Sequence, residues 1–579
     1  MNPLIHFFQK DGETQSVIQG IEAGMKEQLI SGLQGSAKQL LIAALHQTLQ
    51  RPIFVLTHNM FSAQKVAEDL KECLEERQVL LYPANELTTA ELAAIDPEVQ
   101  SQRMQTLSKL AQGFSGIVVS PYAGIRRLLP SKQVMSSARL HLKTGQEIEL
   151  ETVMQTLRDL GYERVDRVES PGQMSLRGGI VDVCPLIGED AYRIEFFDDI
   201  IDSIRVFDTD DQRSKHKVDE VEIIPCKEII ADSKRFQNAA QSAFERMQEH
   251  LAKVTDANLK QKLEENLSWD IERLREGQQF QGLYKYISLL YPEKETLLDY
   301  FDQQSLLVID EPIRLIETAK QMDHDEAESI AAMLQDGKIM PSLKFSKTYD
   351  SLLQNKPLPT LYISLFLRQI PNASPQNIVN YSCRPMQNFH GQMNVLKSEM
   401  ERWKKNDFEV FVMTGTKERR EKVRRVFEDY QIELPKIELM DLQSGFEFPS
   451  ARIAVITEEE IFNKRQRKPK RPAKRIENAE RIKSYTDLKV GDYVVHVNHG
   501  IGKYIGIGTL EVGGVHKDYI HIQYAGDDKL SVPIDQIHLV QKYIGAEEKE
   551  PKLYKLGGTE WARVTKKARS SVKDIADDL

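Results

Sequence analysis

The chain has 579 residues, 41% apolar and 28% charged, with a formal net charge of −10; at ~150 residues per domain this suggests ~4 domains of ordinary globular composition. The acidic balance argues against general affinity for nucleic acid and leaves room only for local basic patches. No run of ~18 apolar residues is present to span a bilayer, MNPLIHFFQKDGETQ lacks the layout of a secretory leader, and Cys73, Cys184, Cys226 and Cys383 form no CxxC pair, so a cytoplasmic protein without disulfide frame or zinc knuckle is expected.

Over the first ~130 residues helix-like and strand-like segments alternate. QLLIAALHQTL has helical spacing, PIFVLT is an apolar strand, AQKVAEDLKECLEE is helical, QVLLYP is a second strand, PEVQSQRMQTLSKLAQG a helix and GIVVSP a third strand. All-apolar strands between helices predict a buried parallel sheet. From about Leu140 to Pro225 the pattern changes to strands with short Gly, Asp and Pro links (LRGGIVDVCPL, AYRIEFFDD, IDSIRVFD, VDEVEIIP), which predicts a β-rich insert. Residues 231–300 return to polar helix and lead into the strand SLLVID, and residues 380–460 hold another α/β piece built on FEVFVMTG, TKERREKVRRVFEDYQI and ARIAVIT.

The segment 464–475, KRQRKPKRPAKR, has eight basic residues and no acidic one; without it the rest of the chain carries −18. It reads as a solvated tether that is also able to touch DNA phosphates. Residues 485–546 form an all-β module with nine glycines. In the last segment Trp561, Val564, Ala568, Val572, Ile575 and Leu579 recur at steps of three and four, an amphipathic helix capped by Thr559. The chain is expected to stop inside that element.

One stretch has the spacing of a phosphate loop, G-x-x-x-x-G-K-[ST]. In GLQGSAKQ, Gly32, Gly35 and Lys38 remain, but Ala37 stands where the second glycine belongs and Gln39 replaces the Mg²⁺-binding hydroxyl. Asp310 and Glu311, at the end of an apolar strand, suit the acidic half of a nucleotide site. Ordinary turn chemistry accounts for the same residues, and neither reading yields a competent ATPase.

Three segments, GLQGSAKQ, LLYPANE with DPEVQSQRMQTL, and GIVVSPYAGIRRLLP, together resemble the first domain of the excision-repair helicase UvrB. The insert, SLRGGIVDVCPL followed by YRIEFFDDIIDSIRVFD, resembles the UvrB domain that docks onto UvrA. VGDYVVHVNHGIGKYIGIGTLEVGGVHKDYIHIQYAGDDKLSVP resembles the Tudor-like RNA-polymerase-binding module of CarD-type regulators and of transcription-repair coupling factors, the Mfd family. The order of the pieces matches that family. Two departures from UvrB stand out: the phosphate loop is broken, and a single helix without a tyrosine cluster occupies the place of the damage-probing hairpin.

The resemblance implies a multidomain α/β fold: degenerate helicase-like parallel-sheet domains with a β-rich insert, then a small all-β Tudor-like barrel and a C-terminal amphipathic helix. Its pieces are a degenerate RecA-type domain over 1–130, continued at 226–345, a UvrA-binding insert at 131–225, a small α/β domain at 375–460, a basic linker at 461–483, the polymerase-interacting module at 485–546, and a helix at 557–579 leading toward a translocase motor beyond the chain. No catalytic residue and no cofactor are expected here; ATP and Mg²⁺ belong to that motor. The implied partners are the RNA polymerase β subunit and UvrA, with DNA touched weakly through the linker, no membrane, and a monomeric chain. A stand-alone helicase and a CarD-like regulator fused to inert α/β domains are the competing readings.

In YRIEFF, alternation sets Tyr192, Ile194 and Phe196 on a core face and Arg193, Glu195 and Phe197 on the other. That second face fits either a protein interface or a solvated surface with Phe197 tucked under a helix; the resemblance implies Arg177, Arg193 and Phe197 as UvrA contacts. The 485–546 module holds five lysines against seven acids, which favours protein over DNA as its partner. YVVHV and YIHIQY are candidate edges for strand addition, and EVGGVHKDY is a hairpin turn. The resemblance implies polymerase contacts at Leu510, supported by Ile507 and Glu511; Leu510 as barrel core is the alternative. His496 and His499 have HxxH spacing without a third ligand, so no metal is expected. The basic residues of 403–406 and 417–425, interleaved with Glu, read as a solvated face.

Overall fold

The computed structural model describes residues 3–84, 97–188, 190–209, 211–280, 282–353, 358–462, 479–481, 491–496, 500–512, 515–525, 528–533 and 540–543. These fall into two units, 1–465 and 466–579.

The first unit is organised around a seven-stranded parallel sheet. Its order is Asn377–Asn380, Glu27–Ser31, Thr360–Ser364, Leu306–Asp310, Ile53–Thr57, Ile117–Pro121, Val79–Leu81. Four of these strands are buried at every position, which is why they read as unbroken apolar runs: helices cover both faces. One face packs under helices Pro3–Lys10, Gly12–Glu22, Ala37–Leu49 and Met60–Cys73. The other packs under Pro97–Ala111 and Pro312–Gln335. The sheet continues past 345, since 360–364 and 377–380 both join it.

The chain leaves this sheet for a β-rich insert. Six strands, in the order Ser214–Val218, Ile200–Phe207, Ala191–Phe197, Ile180–Val183, Gln173–Arg177, Glu163–Arg164, form its sheet, and Leu140–Lys143 pairs with Glu220–Ile223. Helix Leu150–Asp159 buries Val153, Met154 and Leu157 against Val181, Val183, Ile194 and Ile204. Helices Ser233–Leu251 and Ala257–Arg275 follow with a core of their own.

A second sheet has the order Arg384–Pro385, Phe446–Phe448, Ile453–Thr457, Glu409–Thr414, Lys436–Leu439. Its alternation is two-sided. Phe411, Met413, Phe446, Phe448 and Val455 join the core of the first sheet's helices, while Val412, Ala454 and Ile456 pack with Trp403, Val423 and Phe427 of helices Met393–Lys405 and Lys417–Asp429. On the latter helix Arg424 pairs with Glu421, and Arg419 pairs with Glu458.

The second unit holds an antiparallel sheet ordered Ala479–Arg481, Val540–Tyr543, Tyr493–His496, Gly500–Val512, Val515–Gln523, Lys529–Pro533. Val494, Tyr504, Ile520, Ile522, Tyr524, Val532 and Val540 form its core. The basic segment 464–475, His499 and the expected helix at 557–579 lie outside the described residues. No helix among the described residues is long and apolar enough to cross a membrane.

Candidate functional site

Strand Glu27–Ser31 runs into Gly32 (φ +86°) and Gly35 (φ +53°) before helix Ala37–Leu49 begins. Both positions need glycine because peptide crowds them. A Cβ on Gly32 would stand 2.1 Å from the Tyr381 carbonyl oxygen, and one on Gly35 would stand 2.4 Å from that of Gly445. The backbone donor that such a loop offers to phosphate is engaged as well. The Ser36 amide donates to the Ser444 carbonyl at 3.0 Å. Ser36 Oγ donates to Asp69 Oδ2 at 2.7 Å and accepts from the Ser444 amide at 3.2 Å.

Lys38 is placed beside Asp310 as the spacing suggests, and its Nζ donates to both carboxylate oxygens, at 2.8 and 2.9 Å. Burial opposes the ammonium charge, but the attraction and hydrogen bonds of Asp310 outweigh it and hold the pKa above its ordinary value. Glu311, at φ +52°, turns elsewhere and accepts from the Leu365 amide at 2.9 Å; burial, then the nearby Asp310, push its carboxyl up. Gln39 is 5% exposed with its Oε1 unpartnered. Around these groups lies a cavity of about 400 Å³, lined by four carboxylates (Asp69, Asp310, Glu459, Glu460) against two ammonium groups (Lys38, Lys65). That balance opposes a polyphosphate. Among the described residues no group of three or more His, Cys, Asp or Glu is arranged to hold a metal.

In the insert, Ile194 is fully buried and Tyr192 and Phe196 pack on the core, while Arg193, Glu195 and Phe197 occupy the opposite face. Arg193 lies across from Asp182 in the register. Its Nε and Nη2 donate to the two oxygens of this fully buried carboxylate at 2.8 and 2.9 Å, and the guanidinium stacks 4.7 Å from the Phe207 ring centroid. Arg177 Nη2 donates to Asp182 Oδ2 at 2.6 Å. One buried carboxylate therefore gathers both predicted arginines, leaving Arg177 half-exposed and Arg193 mostly covered. Phe197 is 74% exposed at the end of its strand, beside Asp198 (φ +51°) and half-exposed Ile200. It is not tucked under a helix. Asp182 was missed from sequence, although an acid inside the apolar strand IVDV was a usable signal.

In the second unit, Ile507, Leu510 and Glu511 lie on strand Gly500–Val512, opposite Ile520, Lys517 and His516. The hairpin expected at EVGGVHKDY is present, with Val512 paired to Val515. The expected edges are not. Tyr493–His496 and Val515–Gln523 each pair on both sides, so their backbone donors and acceptors are already used; among the described residues the sheet ends at Ala479–Arg481 and Lys529–Pro533.

Comparison with known proteins accounts for both regions. Residues 140–228 match the UvrB interaction domain, and residues 488–544 match the CarD-like/TRCF RID domain. By class this is a chain that carries matches to two interaction domains alongside an α/β body built on a parallel sheet. Across 592 aligned residues and all of its length it is 47% identical to the transcription-repair-coupling factor of Bacillus subtilis (strain 168), covering 50% of that protein. It is 36% identical over 555 residues to that of Staphylococcus epidermidis and 35% over 552 to that of Staphylococcus haemolyticus, with 91% and 92% of this chain aligned and 46% of each relative covered. Over its whole length the chain is similar to the transcription-repair-coupling factors, and it spans about half the length of the curated relatives it matches.

Proposed function

We propose that the chain is a docking platform for transcription-coupled DNA repair in the cytoplasm. Its 488–544 domain holds stalled RNA polymerase through the β subunit, and its 140–228 domain recruits UvrA. The presence of both interaction domains in one chain carries this reading. The body supplies rigidity rather than turnover, since the phosphate loop's Ser36 amide is engaged and its lysine is paired. DNA contact by this chain is weak and runs through the basic segment 464–475, and the chain acts as a monomer.

Phe197 is the principal UvrA contact, flanked by Arg177, because it combines a large exposed aromatic with a neighbouring cation. Arg193 acts through Asp182 to set that surface. In a pull-down with purified UvrA, Phe197→Ala reduces retention at least about tenfold without lowering the melting temperature; unchanged retention refutes the assignment. Leu510 is the principal polymerase contact. Its pair with Lys517 lies three register steps from the Ile507–Ile520 pair, and an odd step places the two positions on opposite faces. Ile507 and Glu511 support this contact. Leu510→Arg abolishes polymerase β binding while UvrA retention persists. Persistence of polymerase binding overturns this placement, and ATP turnover by the chain would favour the helicase reading instead.

A further inference from the structure

The loop 441–445, between the third and fourth strands of the second sheet in chain order, reaches across to the first sheet's helices. We propose that it is a built-in ligand of the degenerate phosphate loop: a peptide that takes the Ser36 amide and fastens the two α/β domains of the first unit together.

The bonding is reciprocal and specific. From the phosphate loop, the Ser36 amide donates to the Ser444 carbonyl, and Ser36 Oγ accepts from the Ser444 amide. Gly35 lets the Ser444 and Gly445 carbonyls approach, since its missing Cβ would lie 3.0 and 2.4 Å from them. From helix Met60–Cys73, Asp69 Oδ1 accepts from the Gln443 amide at 2.9 Å, Glu68 Oε2 from Gln443 Nε2 at 2.8 Å, and Glu72 Oε2 from the Asp441 amide at 3.2 Å. On the far side Glu460 accepts from the Gly445 amide at 2.7 Å and from the Thr457 amide and hydroxyl. Ser36, Asp69 and Glu460 are buried, so much of the loop's backbone is satisfied from both domains rather than by water.

The chemistry of the ligand follows from the donors and acceptors it meets. A helix N-terminus and its preceding amides ordinarily attract an anion. Here the carbonyl oxygen of Ser444 takes one such donor, and the acidic row Glu68, Asp69 and Glu72 takes amides that a phosphate could never supply. A neutral peptide with donors on one side and acceptors on the other fits this surface; a polyphosphate does not. The inference concerns the body alone and stands apart from the docking of UvrA or polymerase.

Hydrogen exchange on the full chain tests it directly. In the native chain the amides of Ser36, Gln443 and Ser444 exchange slowly, and Asp69→Ala speeds exchange at Gln443 and Ser444 by at least about tenfold while the insert's amides keep their rates. Asp69→Asn, which keeps one acceptor, gives a smaller increase and serves if the alanine variant fails to fold. Exchange at the rate of unprotected amides in the native chain, or no change in either variant, overturns the proposal. A second arm uses a fluorescent ATP analogue with Mg²⁺. Restoring the motif with Ala37→Gly and Gln39→Thr leaves binding undetectable at about 1 mM, because the loop still holds the Ser36 amide beside a cavity in which carboxylates outnumber ammonium groups; saturable binding by that variant would show the loop is not a resident ligand.

Discussion

Arg103→Ala is expected to lower the stability of the first unit by about 3–5 kcal/mol, read as a loss in urea midpoint. The side chain is 1% exposed, and its Nε and Nη2 both donate to the Glu228 carboxylate, itself 9% exposed, while the guanidinium lies 4.7 Å from the Tyr82 ring centroid. Truncation leaves a buried carboxylate without its counter-ion, the costly half of breaking such a pair. Replacing both partners, Arg103→Met with Glu228→Leu, recovers most of the loss, because no charge then remains buried. An unchanged midpoint in Arg103→Ala contradicts this account. The same helix also donates from Gln100 to the Cys226 carbonyl and from Ser101 Oγ to the Leu186 carbonyl at 3.1 Å. Residues one, two and four of a single helical turn thus grip the insert at its C-terminal flank and at the Leu186 loop, so the alanine variant also loosens how the insert is presented.

Asp182→Ala is expected to have the second largest effect, about 2–3 kcal/mol on the insert together with loss of UvrA retention. This carboxylate accepts three charge-assisted hydrogen bonds, two from Arg193 and one from Arg177. Without it Arg193 keeps the Phe207 ring, the Gln212 carbonyl at 3.2 Å and the attraction of Glu195, and Arg177 loses its anchor. The docking reading and the stability reading separate in Asp182→Asn. Asparagine keeps one acceptor, so the insert melts closer to the native temperature, while the arginines lose their fixed orientation and UvrA retention still falls. Full retention in a folded Asp182→Asn chain would mean that the arginine geometry does not matter.

Much of this architecture was legible in the sequence where the signal is local. The strands PIFVLT, GIVVSP and LLVID announce burial on both faces by lacking alternation, and the change of period near residue 140 marks the insert. Motif spacing singles out Lys38 and a strand end singles out Asp310, and the two side chains meet in an ion pair. What local pattern does not carry is which strand neighbours which. The first sheet recruits the short, polar NIVN at 377–380 because position beside Glu27–Ser31, not composition, makes it a strand. YVVHV and YIHIQY look like edges in isolation, yet register with three other strands places both inside their sheet. DLQSG at 441–445 has no signature at all, since its role exists only opposite Ser36 and Asp69. Asp182 lies between these cases: its oddness in IVDV is local, but its meaning requires Arg193 across the ladder.

The order in which the chain emerges during synthesis gives the seven-stranded sheet a further consequence. Strand Glu27–Ser31 has its neighbours at Thr360–Ser364 and Asn377–Asn380, roughly 330 residues downstream, so at ~5–20 residues per second it waits about 15–60 s on the ribosome for a first pairing partner. The insert's six strands all pair within 163–218, and their closure is short and early. The insert is therefore complete while the body that will carry it still exposes unpaired apolar strands, and the nascent chain depends most on protection from aggregation before residue 380 has been made.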